Sequence, residues 1–447
     1  MGAGLTTETI GQRLVRLRHE NGLTQGRLAE AVGMSDSYVS LIEAGKRTPS
    51  RRALERLAER LGCAVDYLAD GRGDDAALLE LELGFAELAL RSGDAQAARD
   101  RCSDVLHRAR EAGLPDIAAA ASFCLSIAHE ALGDLRVAMA GLQQLADDPG
   151  LPLTVDRFAV LTVLCRTAMG CGDVNRAVEI GESALREHRA AGGQLTEKPI
   201  ELVAMLVACY YERGDVNRAQ MLIDDAMAAA EQLGSLRARA SAYWNAALVA
   251  EGQGDVRVAR RLIDRALAIY GELENAWALA MLRGNRGRLL LCGEEPRYEE
   301  ARTLLERALG ELAEIGSPGE AAEAQADLAR CHLLAGDVHE AVHIANEAVA
   351  RAERGSVIDS AKARIVLADA LLASGHAEEA IELYRAAATD LDRAGASRRA
   401  AAAWRQLALA LRRLDRLDDA LNAYERLADV SGVPAPFTST SRARVAG

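Results

Sequence analysis

One pattern returns nine times along this chain of 447 residues. It is Gly-Asp, three residues, then Ala. It occurs at Gly93/Ala98, Gly133/Ala138, Gly172/Ala177, Gly214/Ala219, Gly254/Ala259 and Gly336/Ala341. His376 replaces the Asp in Gly375/Ala380, and Asp415/Ala420 is a degenerate copy. Gly293 and Ala301 enclose a turn three residues longer, with Pro296 inside it. The period is 39 to 42 residues. Gly tolerates positive φ and ends one helix, Asp caps the next, and the small Ala lets the two helices approach closely. One such pair cannot bury both of its faces. Neighbouring pairs must therefore stack, giving a right-handed superhelix with a concave groove.

Composition agrees with an all-α chain. Aromatic residues make up 4% and hydrophobic residues 50%, which favours closely packed helices over strands. The eight Cys are scattered, with the nearest pair, Cys165 and Cys171, six apart. Neither a zinc framework nor a disulfide framework follows from that spacing, and reduced thiols in a cytoplasm are expected. The start, MGAGLTTETI, has no basic stretch and no apolar core of a signal peptide. The longest apolar run, Leu202 to Tyr211, is too short to span a bilayer. Fifty of the 53 basic residues are Arg, a bias associated with GC-rich bacterial genomes.

The segment ahead of the repeats is different. Leu23 to Ser50 reads LTQGRLAEAVGMSDSYVSLIEAGKRTPS. Thr24 can cap a helix opening at Gln25, whose Leu28, Ala29 and Val32 share a face. Gly33 stops it, and Ser35 caps a second helix with Val39 and Ile42 inward. Gly45 stops that one, and Lys46 and Arg47 follow. Flanking helices at about Thr9 to Asn21 and Ser50 to Leu61, with a last turn at Val65 to Ala69, complete a small core of Leu14, Leu17, Leu54, Leu57, Leu61 and Leu68. Two short helices about a tight turn place one of them in the DNA major groove.

Residues 9–70 resemble the helix-turn-helix domain of the lambda-repressor, Cro and xenobiotic-response-element class. The signature is Gln25, then Ser35-x-x-Tyr38-Val39-Ser40-x-Ile42-Glu43, then Gly45-Lys46-Arg47-x-Pro49-Ser50. The resemblance implies a DNA-binding set. Gln25 and Ser35 would bond phosphates. Asp36, Ser37 and Leu41 would face base edges, Tyr38 and Ser40 the backbone, and Lys46 and Arg47 would add charge. Leu41 departs from the polar base reader of several relatives; it can touch a thymine methyl but makes no bidentate bond. Asp36 can accept from a cytosine amino group or favour the positive end of its own helix.

The repeating pairs resemble tetratricopeptide repeats, with a period about six residues above the usual 34. The order of parts is similar to that of Gram-positive peptide-sensing regulators. The expected architecture is therefore all-α: a five-helix helix-turn-helix domain at 1–70, a linker at 71–75, a tetratricopeptide-like α-solenoid of about nine pairs at 76–430, and a disordered tail at 431–447 that carries Arg442 and Arg444.

Repeat position assigns inner-face residues: Phe123, Arg166, Tyr211, Trp244, Arg283, Arg330 and Arg405, with Asn245 and Asn285 beside them. Arg would meet a peptide's carboxylates and Asn its backbone amides. Ordinary solvated or packing positions are the plain alternative for each of them. His339-Glu340-Ala341-Val342-His343 matches the zinc-protease signature H-E-x-x-H. Ala341 is however the repeat Ala, His339 and Glu340 fill slots held by Asn and Arg in earlier units, and no third ligand stands out. No metal site, cofactor or catalytic constellation is expected, and the chain does not read as an enzyme.

Charge sharpens the functional reading. The whole chain carries −13, while residues 1–70 hold ten basic and nine acidic residues. A reader of charge about +1 anchors weakly to phosphate. The expectation is a homodimer on a double-stranded operator, joining half-sites one helical turn apart or a multiple of it. The array would bind a peptide or small effector and mediate dimerisation, with no membrane partner. The alternative is a scaffold that recruits or sequesters a protein partner in the same groove.

Overall fold

The computed structural model describes residues 9–63, 65–70, 74–293, 295–316, 318–353 and 355–432. Of the expected linker, residues 71–73 lie outside the described residues, as does the expected tail from 433 on, with Arg442 and Arg444. Among the described residues all regular structure is helical. The described residues form two compact units, those up to 86 together with 101–121, and 87–100 together with those from 122 on.

The first unit opens with α1 (Ile10–Glu20), α2 (Gln25–Ala31), α3 (Asp36–Glu43), α4 (Arg51–Leu61) and α5 (Val65–Asp70). Each of the first four starts where a hydroxyl meets an orphan backbone N–H. Thr9 accepts from Gln12 and takes the Gln12 side chain on its own N–H, closing a capping box. Thr24 accepts from Arg27, Ser35 from Tyr38 and Ser50 from Ala53. Gly33, Gly45 and Gly62 take φ near +65 to +70° at the turns. Leu14, Leu28, Val39, Ile42, Leu57 and Leu68 are all but fully buried and form the core.

Two contacts hold this domain that sequence periodicity does not reveal. Gly11 lies where α1 crosses α3; a Cβ there would meet the Ile42 and Glu43 carbonyl oxygens at 2.6 and 2.5 Å. Arg13, buried, donates to the Leu68 and Ala69 carbonyls at 3.3 and 2.8 Å, fastening α5 to α1.

Nine helical pairs follow in chain order: α6 (Asp74–Arg91) with α7 (Ala95–Glu111), α8 (Pro115–Ala131) with α9 (Leu135–Asp147), α10 (Arg157–Gly170) with α11 (Val174–Ala190), α12 (Glu197–Arg213) with α13 (Val216–Leu233), α14 (Leu236–Gly252) with α15 (Val256–Glu272), α16 (Ala276–Leu290) with α17 (Tyr298–Ile315), α18 (Pro318–Ala335) with α19 (Val338–Ala352), α20 (Val357–Ala373) with α21 (Ala377–Arg393), and α22 (Ser397–Arg413) with α23 (Leu417–Val430). Every turn inside a pair has its positive-φ residue, from +83° at Gly172 to +115° at Gly293, and Asp415 does the same at +61°. Each repeat Ala is buried, eight at 0% exposure and Ala420 at 4%. The Asp caps are less uniform. Asp94, Asp173, Asp255 and Asp337 accept from the N–H three residues on. Asp134 and Asp215 turn instead to His129 and Arg213.

Within the second unit the array curls back on itself. The third pair meets the eighth, where the Val174 N–H donates to the Ala394 carbonyl at 3.0 Å. The fourth meets the ninth, where Arg398 Nε donates to the Tyr211 carbonyl at 3.1 Å. One superhelical turn therefore takes five pairs. The turn glycines make the approach possible: Gly172 would bring a Cβ to 3.4 Å from Val357 and 3.5 Å from Ala394.

Gly11→Ala forces α1 off α3 and should destabilise the first unit by about 1–3 kcal/mol. Hydrogen exchange at the buried amides of α1 and α3 should then quicken roughly 5- to 150-fold, with α12 to α22 unchanged.

Candidate nucleic-acid interface and inner row of the array

The helix α3 presents Asp36, Ser37, Ser40 and Leu41 to solvent, with Leu41 38% exposed. Ser35 is exposed at its amino end, and Lys46 and Arg47 follow its carboxyl end, also exposed. Tyr38 is half-buried, and the Arg47 guanidinium lies over its ring at 5.2 Å. The exposed helix thus has polar and acidic groups at its amino end and cationic groups beyond its carboxyl end.

Gln25 is held more tightly than its sequence role implies. Its amide donates to Glu43 at 2.6 Å, and Glu43 in turn takes both arms of Arg18, at 2.6 and 3.1 Å. Arg18 also donates to the Leu23 carbonyl at 2.9 Å. This buried Arg18–Glu43 pair locks the end of α1, the start of α2 and the end of α3 together. Spacing does not reveal it, because nothing in the sequence pairs position 18 with position 43.

A depression of about 650 Å³ opens beside it, lined by Arg18, His19, Thr24, Gln25, Gly26 and Asp36 among others. It faces the amino end of α2, where backbone N–H groups attract anions. The Asp36 carboxylate leans over that end; a Cβ on Gly26 would stand 3.1 Å from its Oδ2. Asp36 thus lies in the first turn of its own helix α3 and also brings its negative charge to the amino end of α2.

The second unit has a different centre. First helices of successive pairs carry a row of ion pairs. Arg166 on α10 grips Glu130 on α8 with two bonds, at 2.9 and 2.5 Å. Arg288 on α16 bonds Glu251 on α14 and reaches Asp327 on α18 at 3.5 Å. Lys362 on α20 bonds Glu323 on α18 at 2.9 Å. Arg330 pairs with Asp327 at 3.6 Å. Closing the row, Arg399 on α22 clamps Glu212 on α12 at 2.6 and 2.8 Å, and the Arg398 guanidinium stacks 3.8 Å from the centre of the Tyr211 ring.

Burial would raise the Glu212 carboxyl, but the Arg399 guanidinium outweighs it and holds the group at about 2. Burial acts on Glu323 in the same way, and Lys362 first, then Arg399, hold it at about 2. Asp327 goes the other way: burial raises it despite Arg288 and Arg330.

The structure therefore brings Arg166, Tyr211 and Arg330 into one row. Trp244 is half-buried against Trp277 and Tyr270, with ring centres at 5.8 and 6.2 Å. The Asn245 amide donates to Ser241 on its own helix at 3.0 Å. Phe123 and Asn285 are half-buried. Arg283 turns to Glu311 on α17, the second helix of its own pair, and Arg405 is exposed. The acidic half of the row, Glu130, Glu212, Glu251, Glu323 and Asp327, is hidden in the sequence, since carboxylates on a helix look solvated in one dimension. A second depression, of about 640 Å³, lies between α9 and α11 over the start of α10, with Phe158 edge-on to His188.

His339 and His343 are exposed, and His343 lies 3.6 Å from Glu347. Among the described residues no three His, Cys, Asp or Glu side chains gather to hold a metal ion. Nor is any described helix long and apolar enough to cross a membrane.

Comparison with known proteins fits this geometry. A family described as a helix-turn-helix domain matches residues 9–70. The HTH-type transcriptional regulator y4dJ of Sinorhizobium fredii, itself uncharacterised, is 42% identical over 53 residues, covering 12% of this chain and 69% of its own. This chain belongs to the helix-turn-helix transcriptional regulators. The immunity repressor of Bacillus phage phi105 is 44% identical over 60 residues, 13% of this chain; the match spans 42% of the repressor's length. The crystal structure of a Rap protein complexed with Competence and Sporulation Factor aligns over 79% of this chain and 98% of its own, with TM-score 0.56 and 15% identity. That likeness establishes a shared helical-pair fold. The regulator thus joins a DNA-binding domain to a tetratricopeptide-like array.

Two outcomes follow for the regulator. Removing the charge with Asp36→Asn should tighten non-specific DNA binding roughly 2- to 5-fold at low salt, read by fluorescence anisotropy; weaker binding with relaxed base preference would restore Asp36 as a base reader. Glu212 and Glu323 have folded values below their ordinary ones near 4.3. Their contribution is complete above that value and is lost as pH falls toward about 2. The array's melting temperature should fall across that window, and less steeply in Glu212→Gln.

Proposed function

We propose that this regulator controls transcription from a double-stranded operator, that the inner row of its array takes a small effector, most simply a peptide, and that two copies act together on DNA. The cytoplasm is its place of action. The observation that carries the effector reading is the row from Arg166 to Arg399. A helical array needs only apolar packing to stack. Ion pairs drawn partly out of water add little net stability over apolar residues of like size, because desolvation offsets attraction. Their presence along the first helices of successive pairs therefore points to a surface that exchanges partners.

A peptide offers amides, a carboxylate and an ammonium, the groups that can replace an Arg–Glu contact at both ends. Arg166, Tyr211 and Arg330 are the expected contacts already in the row. Trp244 and Asn245 are expected beside it, and Phe123, Arg283, Asn285 and Arg405 complete the proposed effector set. A Rap protein of similar fold is known in complex with Competence and Sporulation Factor, which supports an array of this kind as a binding surface. On DNA the proposed contacts are Gln25, Ser35, Asp36, Ser37, Tyr38, Ser40, Leu41, Lys46 and Arg47. An effector acts only by binding one arrangement of the array better than another, and Glu212–Arg399 is the contact whose loss opens the superhelical turn.

The test is native mass spectrometry of the regulator purified from its own host, followed by DNA binding with and without the recovered molecule. A co-purifying peptide that changes operator affinity roughly 5- to 150-fold, with an altered response in Glu212→Gln, is expected. A stoichiometric protein in its place would favour the scaffold reading. Operator affinity indifferent to every fraction of host extract would end the sensor reading.

A further inference from the structure

One second helix is shorter than its neighbours. Helix α9 has 13 residues where α11, α13 and α15 have 17, 18 and 17. The difference is about one turn. Pro149 explains the stop, since a residue ahead of Pro leaves the helical region, and Asp148 stands at ψ 111°. The missing turn uncovers part of the third pair. Phe158 on α10 is half-buried, while Ile200, Ala240, Ala322 and Ala361, at the same place before their turn glycines, are all at 0% exposure. Ala184 on α11 is half-buried too, and its counterparts Ala226, Ala266, Ala348 and Ala387 are all at 0%. The result is the depression of about 640 Å³ between α9 and α11. Its size falls in the usual range of small-molecule sites, roughly 300–1,000 Å³.

One wall of this cleft is held in place. The His188 ring lies against Gly193, where a Cβ would meet it at 2.1 Å, and its Nε2 donates to the Gln194 carbonyl at 2.8 Å. Gly193 is not at positive φ, so it is the ring that requires a glycine there. Phe158 stands edge-on to the same ring at 4.9 Å. The charged groups of the cleft are unevenly engaged. Asp147 accepts from Gln143 at 2.9 Å, Glu182 from Tyr210 at 2.7 Å and Glu187 from Ser183 at 3.0 Å, and Glu179 lies 3.5 Å from Arg176. Arg157 and Arg186 also line the cleft, and among the described residues neither has an ion pair or a side-chain hydrogen bond. Two unengaged guanidiniums thus stand over an apolar floor of Phe158, Leu161, Leu164 and Ile180.

We infer that this cleft binds a small organic acid, with an apolar ring or short chain on the floor and its carboxylate on Arg157 and Arg186. The ligand's apolar part covers the side chains that a full-length α9 would have covered. A guanidinium meets a carboxylate in a planar, charge-assisted pair that a neutral group does not equal. An amine would instead compete with a donor already in place at every carboxylate of the cleft. No residue of the proposed effector row lines it, so the site is separate from that row and goes beyond it.

The test uses the full chain and four probes: phenylacetate, hexanoate, the uncharged phenylacetamide and the cationic phenethylamine. Saturation-transfer NMR and calorimetry should give phenylacetate a Kd on the order of 0.1–1 mM. The amide should bind at least about 10-fold more weakly, and the amine should not bind. Arg157→Gln with Arg186→Gln should weaken phenylacetate roughly 10-fold at an unchanged melting temperature. Ala184→Leu fills the cleft and should abolish binding, and Gly193→Ala, which unseats His188, should weaken it. Neither acid binding at about 10 mM would overturn the proposal. So would an amide or amine that binds as tightly as the acid, or acid binding that survives both Ala184→Leu and the double Arg substitution.

Discussion

Close approach of two helices at one alanine is the contact on which the array depends. In each pair the chain reverses through a positive-φ residue and returns with the repeat Ala buried against the helix it has just left. A larger side chain there would part the two helices, and the groove between them that receives the next pair would widen with them. Because the geometry is set unit by unit, small rotations accumulate. After five pairs the chain meets itself, and the third and fourth pairs come to lie against the eighth and ninth. The inner row is a product of that closure. Glu212 and Arg399 stand 187 residues apart in sequence and make two hydrogen bonds.

Much of this was open to inspection in one dimension. The turn glycines, the nine alanines and the four capping hydroxyls of the reader act locally, within about five residues, so spacing alone exposes them. The helices of the reader begin and end within a residue or so of where Thr9, Ser35 and Gly45 place them. What spacing conceals is whatever depends on distance along the chain. Gly11 reads as an ordinary helical residue until α3 is laid across it. Arg18 and Glu43 read as solvated charges until the fold buries both. Among the inner-face residues, Arg166, Tyr211 and Arg330 were legible because repeat position gives a face. Their acidic partners were not, because a helix shows which face a residue occupies but not what stands opposite. Arg283 shows the limit of the same rule, as its guanidinium leaves the expected face for Glu311.

The two units answer opposite electrostatic demands. The reader must meet a polyanion, yet its cations nearly balance its anions, and Asp36 adds a negative charge at the amino end of α2. Weak phosphate contact lowers residence on random sequence and leaves discrimination to base contacts and to the number of readers engaged. The array holds most of the chain's negative charge, but in its inner row it spends carboxylates on Arg and Lys and leaves the interior close to neutral.

These facts assign separate duties to specificity and control. A reader that binds poorly alone makes occupancy depend on how many copies are joined, so any influence on joining is multiplied at the operator. A ligand that substituted for one charge of a closing pair would act on the array only through a difference in affinity between two of its arrangements. Coupling of this sort needs no strong interaction at any single point. It needs only a weak reader and a closure held by a few exchangeable contacts, on which an effect of about 1–3 kcal/mol at the inner row would tell.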